Sequence, residues 1–397
     1  MQSEIAKALG ERDRYNEKSS QQDRGLAHMI GDKVIDEASE RYRELERESS
    51  SLLLDHDSRL ALGRYEEAAF HALQAGRQRA SMGRILFDAG DRIAAAEDWL
   101  SATACFLLAT AEEQARTLLG ILQTLAEDGD LESRPDLTAV LAQRNEETRQ
   151  LVAKRTAFLQ QLALPKHELD PANQEAFDFL LNQRRNLPGY AILHYIISRE
   201  AMELGQNELA DRHLVWAAAF DPENANLIAL LGYLHLRNRR RDRAIELAKG
   251  FLEAHKKHPT VGPVMIMLAN ALGGGQVEPL DRIGAIEVLR PLLDENWPDR
   301  KERIAALVIS AILCYETGRR NELLRHIDAL RSIERDLGDA DLRTYTYLKL
   351  CEESLLPLGG DEGEENGFDL GLPEPKRQQL FRSAMQLTTR LPLPLAA

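Results

Sequence analysis

A pattern of small and apolar residues returns after 34 residues in the middle of the chain. Ser198 and Gly232 stand one such period apart, and so do Ala210 and Ala244. Each copy contains two apolar stretches of helical length, with a short turn between them at Gly205 in the first copy. A single helix pair cannot bury its apolar face alone, so adjacent copies must stack. The repeat therefore predicts an array of helical hairpins.

These copies resemble the tetratricopeptide repeat, a helix-turn-helix unit of the same length. The first copy matches seven positions of that repeat in one register: Ser198, Ala201, Gly205, Ala210, Leu214, Ala217 and Pro222. The register continues without a gap into the second copy, and looser copies follow from Ala269 and from Ala311. The resemblance is best over residues 191–256, moderate to 337 and weak in the N-terminal half. It implies an all-α fold, an alpha-alpha superhelix that is a TPR-like solenoid of helical hairpins.

Small residues at the repeat positions have a packing role. Two helices whose axes approach to about 8–10 Å need small side chains where they cross, and Ala210, Gly232 and Ala244 meet that need. Gly205 and Gly318 are expected to take the left-handed backbone that ends the first helix of a pair. Gly273-Gly-Gly275 is expected to mark an insertion between two helices.

Four regions follow from these patterns and from the distribution of charge. Residues 1–51 form a charged N-terminal helical segment, expected to end at the serines 49–51, and residues 52–165 form an irregular helical-hairpin region. Residues 166–356 form the repeat domain. Residues 357–397 combine an acidic flexible linker, expected to be disordered over 358–372, with an amphipathic helix from Pro375 to Arg390.

Composition limits the choice of partner and location. The net charge of -14 disfavours nucleic acid. No segment has the length and apolar character of a membrane span or of a signal peptide. Three cysteines without a CxxC pair indicate reduced core thiols. We therefore expect a cytoplasmic protein with no membrane and no nucleic acid among its partners.

Sequence signatures of catalysis are missing. The chain has no phosphate-binding loop, no HExxH zinc motif and no GxSxG nucleophile motif. We therefore expect no catalytic residue, no metal site and no cofactor. A helical enzyme with a site between the two halves stays open as an alternative.

The resemblance assigns the binding surface to the first helix of each repeat. In that family these helices line a concave groove, which implies the following partner-binding residues: Tyr195, Arg199, Met202, Asn226, Tyr233, Arg237, Val308, Ile312 and Tyr315. Tyr195, Arg199 and Tyr233 are expected to form one continuous patch. A second candidate surface, for an anionic partner, is the cationic patch of Arg239, Arg240, Arg241 and Arg243.

A scaffold or adaptor that binds a protein or peptide partner in the groove of residues 189–337 is the leading interpretation. In the main alternative the chain is a regulatory module that its own C-terminal helix inhibits by occupying the groove. The sequence leaves homo-oligomerisation open.

Overall fold

The computed structural model describes residues 21–162, 174–255, 260–274, 280–336, 342–355 and 373–388. Over these ranges the regular structure is entirely helical and contains no strand. The expectation of an all-α fold is therefore confirmed. None of the described helices is both long and apolar enough to cross a bilayer.

Packing divides the chain into two compact units, residues 1–197 and 198–397. The boundary expected at residues 165–166 falls in 163–173, outside the described residues, and stays a prediction. The acidic stretch expected to be disordered, 358–372, also lies outside them.

The first unit contains α1 (Gln21–Ala61), α2 (Tyr65–Asp88), α3 (Arg92–Leu108), α4 (Glu112–Glu127), α5 (Pro135–Leu162), α6 (Gln174–Asn186) and the first half of α7 (Ala191–Glu203). Consecutive helices pack together from α1 to α5, the last such pair being α4 and α5, and α3 also packs against α5. This part of the chain is therefore a series of helical hairpins.

The break expected at the serines 49–51 does not occur, because α1 continues through them to Ala61. Ser49 is fully buried, and its hydroxyl accepts a hydrogen bond from Nε of Arg79 at 3.0 Å. Tyr42 of α1 donates a hydrogen bond to Asp98 at 2.9 Å. Packing of α1 against α2 thus overrides the low helix propensity of serine.

The second unit contains α8 (Asn207–Phe220), α9 (Ala225–Arg237), α10 (Arg241–Ala254), α11 (Gly262–Gly273), α12 (Arg282–Leu289), a 3-10 turn (Arg290–Leu293), α13 (Arg300–Glu316), α14 (Arg320–Asp336), α15 (Leu342–Leu355) and α16 (Glu374–Thr388). From α8 to α15 consecutive helices pack together, and α9 packs against α11 as α11 does against α13. The first helices of three successive hairpins therefore form one layer, which we call the first-helix face.

The small repeat residues of the second unit have the predicted role. Ala210 and Ala244 are fully buried, and a Cβ atom on Gly232 would lie 2.5 Å from Sδ of Met267. A side chain at position 232 would displace the flexible side chain of Met267, so glycine allows Met267 of α11 to pack directly against α9. Gly205 and Gly318 have φ angles of 71° and 69°, the left-handed backbone expected at these turns.

The hairpin of α11 and α12 contains the predicted insertion. Helix α11 ends at Gly273, and α12 begins only at Arg282, where the side chain of Asp281 accepts a hydrogen bond from the backbone N–H of Gly284 at 2.8 Å. The end of α11 therefore lies beside a longer connection than the turns at Gly205 and Gly318.

Candidate partner-binding groove

The C-terminal helix α16 lies on the first-helix face. It packs against α11, α13 and α15, and Nε of its Arg382 donates a hydrogen bond to the hydroxyl of Tyr233 on α9 at 3.1 Å. The predicted amphipathic helix of residues 375–390 is thus observed as Glu374–Thr388. Part of the surface assigned to a partner already has an occupant from the same chain.

One side of α16 carries its buried positions, among the side chains of this helix that the structure describes. These positions are three or four residues apart, the spacing that places side chains on one helix face: Arg377, Leu380, Phe381, Ala384, Met385, Leu387 and Thr388. Gln378, Gln379 and Arg382 are exposed. The apolar stripe therefore begins with a buried cation.

Arg377 is 4% exposed and is bound by the ends of two other helices. Its Nη1 donates to the carbonyl oxygen of Gly274 at 3.1 Å, and Nη2 donates to the carbonyl oxygen of Gly273. The carboxylate of Glu316, at the end of α13, lies 2.5 Å from Nε and 2.9 Å from Nη2. We call these acceptors, the two carbonyls and the Glu316 carboxylate, the arginine socket.

Helix geometry explains why the socket exists. The last four carbonyl groups of an α-helix have no partner inside the helix, and the helix dipole makes that end negative. On α11, Arg241 donates to the carbonyls of Ala271 and Leu272 at 2.6 Å and 2.9 Å. Arg377 donates to the carbonyls of the next two residues, Gly273 and Gly274. A Cβ atom on Gly273 would lie 2.7 Å from Leu313, so glycine allows the end of α11 to lie close to α13.

The partner-binding residues predicted on α13 are less exposed to solvent than residues of an open binding groove. Val308 and Ile312 are fully buried, and α13 packs against five other α-helices, including α16. Both are buried while α16 lies on this face and are not exposed to a partner in this conformation, so their assignment to the binding surface stays a prediction. Tyr315, nearer the end of α13, is half-buried.

Residues predicted on α9 keep part of their surface. Asn226 and Tyr233 are half-buried and Arg237 is exposed. Arg237 forms an ion pair with Asp211 at 2.5 Å, and its Nη1 lies 3.6 Å from Sδ of Met202. This end of the first-helix face combines an aromatic ring with an exposed guanidinium.

The groove residues predicted on α7 differ from one another in their exposure to solvent. Tyr195 belongs to the first unit and is 2% exposed. Its side chain is therefore a core residue, and the expectation that it belongs to an open patch is wrong. Arg199 and Met202 belong to the second unit and are half-buried, with Nε of Arg199 donating to Glu200 at 2.7 Å.

The cationic patch separates into two parts. Arg239, Arg240 and Arg243 are exposed, whereas Arg241 is half-buried and bound to the end of α11. Burial, together with the charges of Arg240 and Arg243, lowers the pKa of His235 below its ordinary value. Three arginines thus remain for an anionic partner, and the fourth has a structural role.

Buried thiols give no sign of a reactive nucleophile. Cys105, Cys314 and Cys351 are free and buried. Burial raises the pKa of each thiol, to about 11 for Cys314, where the nearby Glu322 adds to the effect. A thiol with a raised pKa stays protonated near neutral pH and is a poor nucleophile. These cysteines are core residues, as the sequence suggested.

Comparisons with known proteins give a structural match only. A scan against protein-family models found no match, and a search of curated proteins found none either. Among solved structures, the crystal structure of the P58(IPK) TPR domain is similar over 85% of this chain and 98% of its own, at 13% sequence identity and a TM-score of 0.24. At that TM-score the likeness carries no argument about the site.

Proposed function

We propose that residues 198–397 form a protein-interaction module, a scaffold or adaptor that holds a segment of a partner protein on the first-helix face. The observation that carries this proposal is the position of α16. An amphipathic helix packs against α11 and α13 and reaches α9, so this face accepts a helix of that kind. Helix-in-groove docking is a common mode of peptide recognition.

Residues on and beside α9 supply the proposed contacts. Tyrosine and arginine are enriched among residues whose truncation costs the most binding free energy. Tyr233 and Arg237 combine these types, and Met202 adds an adaptable apolar side chain beside Arg237. We propose this cluster as the first contact of the partner while α16 is still in place.

A second candidate function is regulation by α16 itself. In this version the chain inhibits its own binding until the partner displaces the helix. The buried ion pair of Arg377 with Glu316 favours this candidate, because it holds α16 in one register.

Charge and thiol state complete the proposal. The net charge of -14 favours basic partner segments over nucleic acid, and buried free thiols suit the cytoplasm. The exposed Arg239, Arg240 and Arg243 are proposed as a secondary contact for acidic groups of the partner.

Affinity purification from the native cells tests this function when three tagged chains are compared. These are the wild type, Phe381→Ala, which weakens the packing of α16, and the double variant Tyr233→Ala/Arg237→Ala. We expect one partner to be enriched by Phe381→Ala and depleted by the double variant. Gln378→Ala, an exposed position on α16, is the control and should behave as the wild type. Equal recovery of every partner by all four chains would place the binding site elsewhere.

A further inference from the structure

The arginine socket is built by the hairpins, independently of α16. Two of its acceptors are main-chain carbonyls at the end of α11, and the third is the carboxylate of Glu316 at the end of α13. Arg282, at the start of α12, also holds Glu316, with Nε 3.0 Å from Oε2. Because this second arginine remains when Arg377 leaves, the carboxylate keeps its position and the socket stays formed.

The socket fits a guanidinium better than an ammonium group. Nη1 and Nη2 of Arg377 donate to acceptors on two helices, and Nε lies 2.5 Å from the Glu316 carboxylate. Only a planar fork presents donors in such an arrangement. A lysine offers one point charge on a flexible stem. The chemistry of the socket therefore selects arginine.

The apolar stripe that follows Arg377 on α16 defines the other features of a helix that fits the first-helix face. Leu380 and Phe381 come one turn later, and Ala384 and Met385 one turn after that; all four are buried. An occupant of this face is thus a helix with the pattern Arg-x-x-Leu-Phe-x-x-Ala-Met. The positions of Gln378 and Gln379 are free to vary, since both are exposed, whereas Arg382 is exposed but bonds to Tyr233 of α9.

Covalent linkage allows α16 to leave without unfolding the hairpins. Residues 356–372 connect α15 to α16, and a segment of this length spans at most about 60 Å when extended. The strongly acidic chain also attracts a basic helix over a distance. Both features favour exchange of α16 for an external helix.

We propose that the partner segment is an amphipathic helix that places an arginine in the socket, one turn before an apolar pair, and that α16 is the intramolecular competitor for this site. This inference rests on the proposed function and names the chemistry of the partner. The arginine is the specificity determinant, and the apolar stripe supplies most of the contact area.

Fluorescence anisotropy with two labelled peptides tests the inference on full-length chains. One peptide has the sequence of residues 373–388, and the other carries Arg377→Gln. A tethered competitor acts at an effective concentration in the millimolar range, so the wild-type chain should bind either peptide weakly. The chain with Arg377→Ala should bind the arginine peptide at least about tenfold more tightly than the wild type does, because a buried hydrogen bond to a charged group is worth that much.

Recognition of the arginine is tested by comparing the peptides on that chain. The glutamine peptide should bind about tenfold more weakly than the arginine peptide. Adding Glu316→Gln to Arg377→Ala should reduce this difference to less than about threefold. The control chain Gln379→Ala, which truncates an exposed side chain of the same helix, should bind like the wild type. Phe381→Ala loosens α16 without touching the socket and replaces Arg377→Ala if circular dichroism shows that the latter is unfolded.

Two results would overturn the inference, and they differ in their consequence. If the Arg377→Ala and Phe381→Ala chains bound both peptides with equal affinity, the first-helix face would bind helices without recognising the arginine. The proposed function would then stand. Failure of folded Arg377→Ala and Phe381→Ala chains to bind either peptide would also remove the first-helix face as a helix-binding site.

Discussion

Arg377 and Glu316 join the last helix of the chain to the end of α13, with Nε of the arginine 2.5 Å from Oε1 of the carboxylate. The side chain of Arg377 is 5% exposed and that of Glu316 is 17% exposed. Removing Glu316 leaves the buried guanidinium of Arg377 without its carboxylate, which is strongly destabilising, whereas Glu316 keeps its ion pair with Arg282 when Arg377 is removed. The pair therefore fixes the position of α16 on the first-helix face.

A double-mutant cycle on this pair should show strong coupling. Glu316→Ala should lower the free energy of unfolding by about 3 kcal/mol, and Arg377→Ala should lower it by less because Glu316 retains Arg282. The double variant should lose at least about 1 kcal/mol less than the sum of the single losses. Urea unfolding of the four chains measures this. The exposed pair Arg331 and Asp328 on α14, 3.5 Å apart, is the control and should show no measurable coupling. Additive losses for Arg377 and Glu316 would contradict the pairing.

Substitution by glycine should have opposite effects on stability at two non-glycine residues that have a left-handed backbone, Arg239 and Thr110. Arg239 has a φ of 57° and an exposed side chain, so Arg239→Gly should raise the free energy of unfolding by about 1 kcal/mol through relief of backbone strain. Thr110 has a φ of 55°, but its Oγ1 accepts a hydrogen bond from the backbone N–H of the half-buried Gly189 at 2.8 Å. Thr110→Gly should therefore destabilise the first unit. Thermal melting distinguishes the two, and stabilisation by both variants would refute the role of the Thr110 hydroxyl.

The two tyrosines predicted to share a patch should differ in their effect on stability. Tyr195 is 2% exposed, so Tyr195→Ala should lower the free energy of unfolding by about 3 kcal/mol or more. Tyr233 is half-buried and its hydroxyl accepts one hydrogen bond from Arg382, so its truncation should cost less than half as much. Denaturant titration checks this, with Tyr233→Phe as the control for the hydroxyl alone. Equal losses would indicate that Tyr233 is also a core residue.

His194 should make the first unit sensitive to acid. Burial, with a smaller effect of Arg184, lowers the pKa of His194 to about 4, although its ring also bonds to the carbonyl of Pro188 at 2.6 Å. The unfolded chain binds a proton at pH values below about 6.5, where the folded chain does not. Stability contributed by this residue is therefore present above pH 6.5 and falls by up to about 1.4 kcal/mol per pH unit as the pH drops towards 4.

Comparison with His194→Gln isolates this contribution. Chemical denaturation between pH 4 and 7 should give a flatter stability profile for the glutamine variant, since glutamine can donate to Pro188 without titrating. Identical profiles for the two chains would show that His194 binds its proton equally in both states.

Local features of the fold could be predicted from the sequence. The spacing of Ala210, Gly232 and Ala244 indicated close helix pairs, and Gly205 and Gly318 indicated the turns, because these requirements involve neighbouring residues. The amphipathic helix near the C-terminus was predicted for the same reason. By contrast, α1 continues through Ser49 since that residue is buried against Arg79 of the next helix, a contact that composition does not reveal.

The site depends on contacts between distant residues, which explains why it was predicted only in part. Arg377 contacts Gly273 across 104 positions of sequence, and no local pattern specifies that pairing. Val308 and Ile312 occupy the repeat positions that would line a groove, but α13 is covered. One signal was present in the sequence: an arginine, Arg377, stands one turn before Leu380 and Phe381 on the same face of the helix.

Hydrogen–deuterium exchange of the full-length chain tests the central claim most directly, namely that α16 occupies the first-helix face and that Arg377 holds it there. The account predicts that amides of residues 373–388 exchange more slowly than in the isolated peptide, and that Arg377→Ala accelerates their exchange at least about tenfold. Residues at the ends of α11 and α13 should become less protected in the same variant, whereas Gln379→Ala, at an exposed position of α16, should leave the pattern unchanged. Exchange of residues 373–388 in the wild-type chain at the rate of the free peptide would contradict the account.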